Sequence, residues 1–186
     1  MTPNLEAAYA EPHRRYHTRA HIEQCLALLD QVPDLTETEH KILTCAIWWH
    51  DAVYDPKASD NEARSAQMAK AELRDFDDIT IHARDEVARL ILLTAGHAVE
   101  EGDRLGELLV SIDLAILGAP AERYDDYAVA VRAEYAHVPD DAWRAGRAQV
   151  LQRFLGAPVI YPDLGFRDWL EAQARENLAR ELASLS

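Results

Sequence analysis

Apolar residues recur every three to four positions along almost the whole chain, and strand-like alternation is scarce. That spacing lays a stripe along one side of a helix, and striped helices bury themselves against one another. Breakers divide the pattern. The first helix is expected over about 17–31, stopped by Pro33. Thr36 with Glu39 reads as a capping box opening a second, which runs through Ile42, Ala46 and Trp49 to about Asp51. Asp55-Pro56 breaks the chain, and Ser59 with Glu62 reads as another capping box, opening a helix to about Arg74. Further helices are expected over about 81–95, ending near Gly96, over about 103–117, and from Pro120. The last two run from Pro139-Asp140 to Gly156 and over about 166–185. Connections are short and no linker divides them. The expectation is an all-α chain, one compact multi-helix bundle over 1–186, with halves at about 16–118 and 119–186.

The formal charge of −14 works against nucleic acid polymers and anionic membranes as partners. An anionic small substrate would have to be captured by local positive charge. No uncharged apolar run approaches the ~18 residues of a membrane span. Glu6 and Glu11 interrupt the N-terminus, so a cytoplasmic protein is expected. Cys25 and Cys45 sit among apolar residues at helical spacing and read as small buried thiols. The four tryptophans read as core or helix-contact residues.

A few residues ask for chemistry. Asp113 is flanked at helical spacing by Leu109, Val110, Ile116 and Leu117, so it shares its face with the core. A carboxylate there needs a basic partner, a backbone cap or a metal ion. His50 and Asp51 close an apolar helix, and a divalent cation would satisfy both at once, although a lone buried histidine is more often a satisfied core residue. His17 and His21, four apart, would lie roughly 6 Å from one another on one helical face. On their own they read equally well as two surface histidines.

His21, His50-Asp51 and Asp113, in that order on helices, resemble the metal pattern of the HD superfamily of metal-dependent phosphohydrolases. Tyr16-His17-Thr18-Arg19-Ala20-His21-Ile22, Ala46-Ile47-Trp48-Trp49-His50-Asp51-Ala52-Val53-Tyr54-Asp55 and Asp60-Asn61-Glu62-Ala63-Arg64-Ser65-Ala66 narrow the likeness. They are similar to a small bacterial subfamily described as predicted HD-domain metal-dependent phosphohydrolases. The likeness runs end to end, with the metal pattern itself within residues 16 to 113.

The resemblance implies His21, His50, Asp51 and Asp113 as ligands of one or two divalent ions. Mixed imidazole and carboxylate donors suit Mn, Co, Ni, Fe or Zn. It also implies hydrolysis of a phosphoester or phosphoanhydride in a small phosphorylated metabolite, nucleotides among the candidates. The opening segment is similar to that of cyclic nucleotide phosphodiesterases, which makes His17 a candidate general acid. Thr18 stands where that pattern has asparagine, so cyclic nucleotide specificity is not implied. By the same likeness, His97 is a candidate phosphate or second-metal contact, and Glu62 a candidate for orienting the attacking water. Arg19 and Arg64, with Arg14 and Arg15, are candidate phosphate clamps; Arg132, Tyr135 and Arg147 are candidates for a substrate wall. The alternatives are a di-iron HD oxygenase and a non-catalytic, metal-binding regulatory or scaffold domain. Oligomeric state stays open.

Overall fold

Side chains that take up free N–H groups set four of the helix starts among the described residues. A computed structural model describes residues 2–185, and among them every regular element is helical. Thr2 caps α1 (Pro3–Tyr9), accepting from the Leu5 amide. α2 (Arg19–Leu29) follows an irregular stretch. α3 (Glu37–Trp49) begins with the reciprocal box: Thr36 accepts from the Glu39 amide at 3.2 Å, and the Glu39 carboxylate accepts from the Thr36 amide at 2.8 Å. Then come α4 (Asn61–Glu72), α5 (Ile81–Leu93) capped by Thr80, and α6 (Arg104–Asp113). The last three are α7 (Ala121–Glu134), α8 (Asp140–Gly156) and α9 (Leu164–Ser184), the last capped by Asp163.

Several expectations need correction. α1 has no counterpart in the sequence reading. Ser59 makes no capping box: Asp60 holds the N-cap position of α4 without a side-chain bond. α2 starts at Arg19, which leaves His17 in the preceding irregular segment rather than on a shared helical face. The helix expected to run to 117 ends as an α-helix at Asp113 and tightens into a 3-10 turn over Leu114–Gly118.

The chain divides into two compact units, 1–110 and 111–186, with the division inside α6. In the first unit α3 packs on α2, α4 and α5. Its core joins Ile22, Cys25 and Leu29 with Leu43, Ala46 and Ile47, and with Val87, Leu90 and Ile91. Tyr9 of α1 donates its hydroxyl to the Trp48 carbonyl at 2.9 Å, tying the N-terminus to the end of α3.

In the second unit α9 lies along the 3-10 turn and α8. A Cβ on Gly118 would stand 2.6 Å from Leu170 Cβ, so the approach requires glycine. Asn177, buried on α9, donates to the Leu117 and Ala119 carbonyls at 2.9 and 2.8 Å. Arg147 is buried and forks onto Glu181 at 2.7 and 2.9 Å, while Tyr124 donates to the same carboxylate. Trp169 is 64% exposed on α9, so of the two readings for the tryptophans, core or helix contact, the core one does not hold for it. No helix among the described residues is long and apolar enough to cross a membrane.

Candidate metal centre

The end of α3 and the start of α2 bring three candidate ligands together within the first unit. His21 occupies the first turn of α2 and is 4% exposed; His50 is the C-cap of α3 and 2% exposed. Asp51 follows in the turn, its side chain 18% exposed. The Nε2 atoms of His21 and His50 are 3.3 Å apart. Asp51 Oδ2 lies 3.0 Å from His50 Nε2 and 3.7 Å from His21 Nε2.

The proton inventory at His50 is informative. Its Nδ1 stands 2.9 Å from the Ile47 carbonyl, which can only accept, so Nδ1 carries hydrogen. In the neutral ring Nε2 is then a lone pair, facing a carboxylate oxygen and another imidazole nitrogen. A divalent cation would accept that lone pair. An imidazole whose other nitrogen donates to a backbone carbonyl is the usual arrangement of a metal ligand. Two of the three spacings agree, at 3.0 and 3.3 Å, and the third is wider at 3.7 Å: donors about 2.1 Å from one ion are about 3.0 Å apart at right angles and about 3.4 Å apart at tetrahedral angles. The residues fit a divalent transition metal.

Burial on its own would raise the Asp51 carboxyl. His50, then His17 and His21, oppose it with positive charge and a hydrogen bond, and hold it well below the usual carboxylate range. Cys25, one turn beyond His21, places its sulfur 3.7 and 3.8 Å from the two ring nitrogens of His21. It backs the imidazole as a buried thiol. Cys45 is also buried, and burial pushes its thiol up to about 11.

His17 reaches the neighbourhood without a helix. Its ring centroid is 6.2 Å from that of His21; it stacks on Tyr54 at 4.2 Å and meets the Tyr16 ring edge-on at 5.0 Å. Glu62 is half-buried in the first turn of α4, with no capping bond to Ser59. Arg19 is exposed and donates to Glu23 at 2.7 Å; Arg64 is exposed and 3.8 Å from Asp60. His97 is half-buried and adopts φ +55°, donating its amide to the Leu93 carbonyl at the end of α5. The left-handed residue is thus the histidine and not the neighbouring Gly96. Asp113 is half-buried at the end of α6 and belongs to the second unit.

Two of the substrate-wall candidates are hydrogen-bonded within the second unit. Arg132 donates to the Tyr135 and Val138 carbonyls and to Asp140, and Arg147 is held by Glu181. Arg14, expected as a phosphate clamp, is buried and bonded to backbone carbonyls.

Sequence reasoning quoted Asn61 and Ser65 only within a longer motif and gave them no role. Ser65 accepts from the Val53 amide at 2.9 Å and donates to the Val53 carbonyl at 3.4 Å. Asn61, one turn earlier, accepts from the Asp55 amide at 3.0 Å and donates to the Asp55 carbonyl at 2.9 Å. Together they rivet α4 to the segment leaving Asp51. The signal was a serine in the small buried stripe it forms with Ala66 and Ala69. No family model, curated protein or solved structure matches the chain.

Proposed function

We propose that this protein is a metal-dependent phosphohydrolase of the HD type that acts on a small phosphorylated metabolite. One observation carries the reading. Two imidazoles and a carboxylate converge at 3.0 to 3.7 Å, with Nδ1 of His50 turned to the Ile47 carbonyl and its Nε2 turned to the other two groups. His21, His50 and Asp51 would hold the ion, with Asp113 as the fourth ligand that the family resemblance implies. A divalent ion there supplies Lewis acidity toward a phosphoryl oxygen and toward the attacking water.

The remaining steps fall to the chain's own groups. His17, its ring plane fixed by the stack on Tyr54, donates a proton to the leaving oxygen. Glu62, on a helix riveted beside Asp51, orients the attacking water. Arg19 and Arg64 offset the charge that develops on the phosphoryl group, and His97 contacts phosphate.

The test is direct. Protein purified without chelator should carry about one or two equivalents of transition metal, and Asp51→Ala and Asp113→Ala should each lose most of it. Asp125→Ala, at an exposed ion pair on α7, should lose none. A wild-type protein that carries no such metal and takes up none on titration sinks the reading. With metal bound, a panel of nucleotides, sugar phosphates and oligonucleotides with Mn, Co, Ni or Mg should show turnover of small members. No hydrolysis of any of them would reject the enzyme while sparing the metal site.

A further inference from the structure

We infer that Arg14 is a positioning residue that sets His17 against Asp51, an inference that rests on the metal-site reading. The Arg14 side chain is fully buried, and each guanidinium nitrogen is engaged. Nε donates to Glu11 Oε2 at 2.9 Å, Nη1 to the His17 carbonyl at 3.1 Å and the Asp51 carbonyl at 2.7 Å, and Nη2 to the Ala52 carbonyl at 3.1 Å. The rings of Tyr9 and Tyr54 stand 5.2 and 5.5 Å from its central carbon.

A buried cation is a costly way to fill space, and an apolar side chain of similar volume would often stabilise as well. What a guanidinium adds is direction. Its Nη1 bridges two segments far apart in sequence, one carrying the candidate proton donor and the other the candidate carboxylate ligand. The aromatic lining serves the same purpose: Tyr54 also stacks on His17, and Tyr9 is anchored to the Trp48 carbonyl. A lysine has one nitrogen and cannot reproduce the fork. Loss of the fork frees the His17 segment to shift relative to Asp51.

The experiment compares cobalt(II) binding to metal-free wild type and Arg14→Lys by calorimetry and visible absorption. The variant should keep its helical circular dichroism, bind cobalt at least about tenfold more weakly and show an altered absorption envelope. Guanidinium ion added to Arg14→Ala should restore part of the affinity and leave wild type unchanged. Unchanged affinity and spectrum in a folded Arg14→Lys overturn the inference, as does Arg14→Ala that guanidinium cannot rescue. If neither variant folds, Glu11→Gln keeps the fork and removes its counter-charge; a smaller shift in the same direction supports the inference and no shift overturns it. A wild type that binds no cobalt rejects the metal reading, and the inference is then read from imidazole NMR signals. Arg14→Lys (or Glu11→Gln) must move those of His17 and His50 and leave exposed His82 in place. If His17 and His50 do not move, the inference fails.

Discussion

His97 and His17, both candidates by family likeness, pose different questions, one through its backbone and the other through its ring. A histidine at φ +55° holds its Cβ in a region where L-residues pay about 1 kcal/mol relative to glycine. Both His97→Ala and His97→Gly remove the imidazole, so their difference isolates that backbone strain. The glycine variant should be the more stable by about 1 kcal/mol in urea unfolding. If both variants also lose turnover equally, the ring is what the site needs from this position. At His17 the imidazole itself is at stake. His17→Ala should retain metal and lose turnover by about 10²–10⁴-fold, with partial recovery on a substrate whose leaving group needs no proton. Loss of metal in that variant would make His17 a ligand and reverse the roles assigned to it and His21.

Among the elements, α3 and α4 separate what was legible in sequence from what was not. The Thr36–Glu39 box formed as read: both partners lie within one turn, and Arg104, 3.9 Å from the other Glu39 oxygen, does not draw it away. The Ser59–Glu62 box did not form, because the segment before α4 is fastened by Asn61 and Ser65 to residues 53–55 instead. Thr36→Ala should therefore cost about 1 kcal/mol of stability, and Ser59→Ala close to nothing. Equal losses in chemical denaturation would contradict these caps. The same distinction holds at the candidate site. His21, His50 and Asp51 could be picked out because an apolar helical context makes a polar residue conspicuous. Arg14 was picked out only as a candidate phosphate clamp, because apart from Glu11 its partners are backbone carbonyls up to 38 positions away, which carry no side-chain signature. His17 was placed near His21 by helical spacing, and it is near, but through an irregular segment held by stacking on Tyr54.

For the molecule as a whole, the charge of −14 makes a kinetic statement. An anionic substrate approaches against the average field, and salt screens that repulsion over about 8–10 Å. For a phosphorylated metabolite, kcat/KM should rise between low and physiological ionic strength when binding limits the rate. A steep fall would mean that local arginines outweigh the global charge. Efficient cleavage of long oligonucleotides, whose phosphates would extend over the acidic surface, would do the same.

The distribution of indoles has a spectroscopic consequence. Trp48 and Trp49 belong to the first unit, Trp143 and Trp169 to the second, and Trp49 is buried beside His50 in sequence while Trp169 faces water. Replacing Trp143 and Trp169 by phenylalanine leaves fluorescence that reports only on residues 1–110, and replacing the other pair leaves a reporter for 111–186. Each unit can thus be watched through its own emission as denaturant rises, and a quenching ion arriving at His50 will dim the first pair before either unit unfolds.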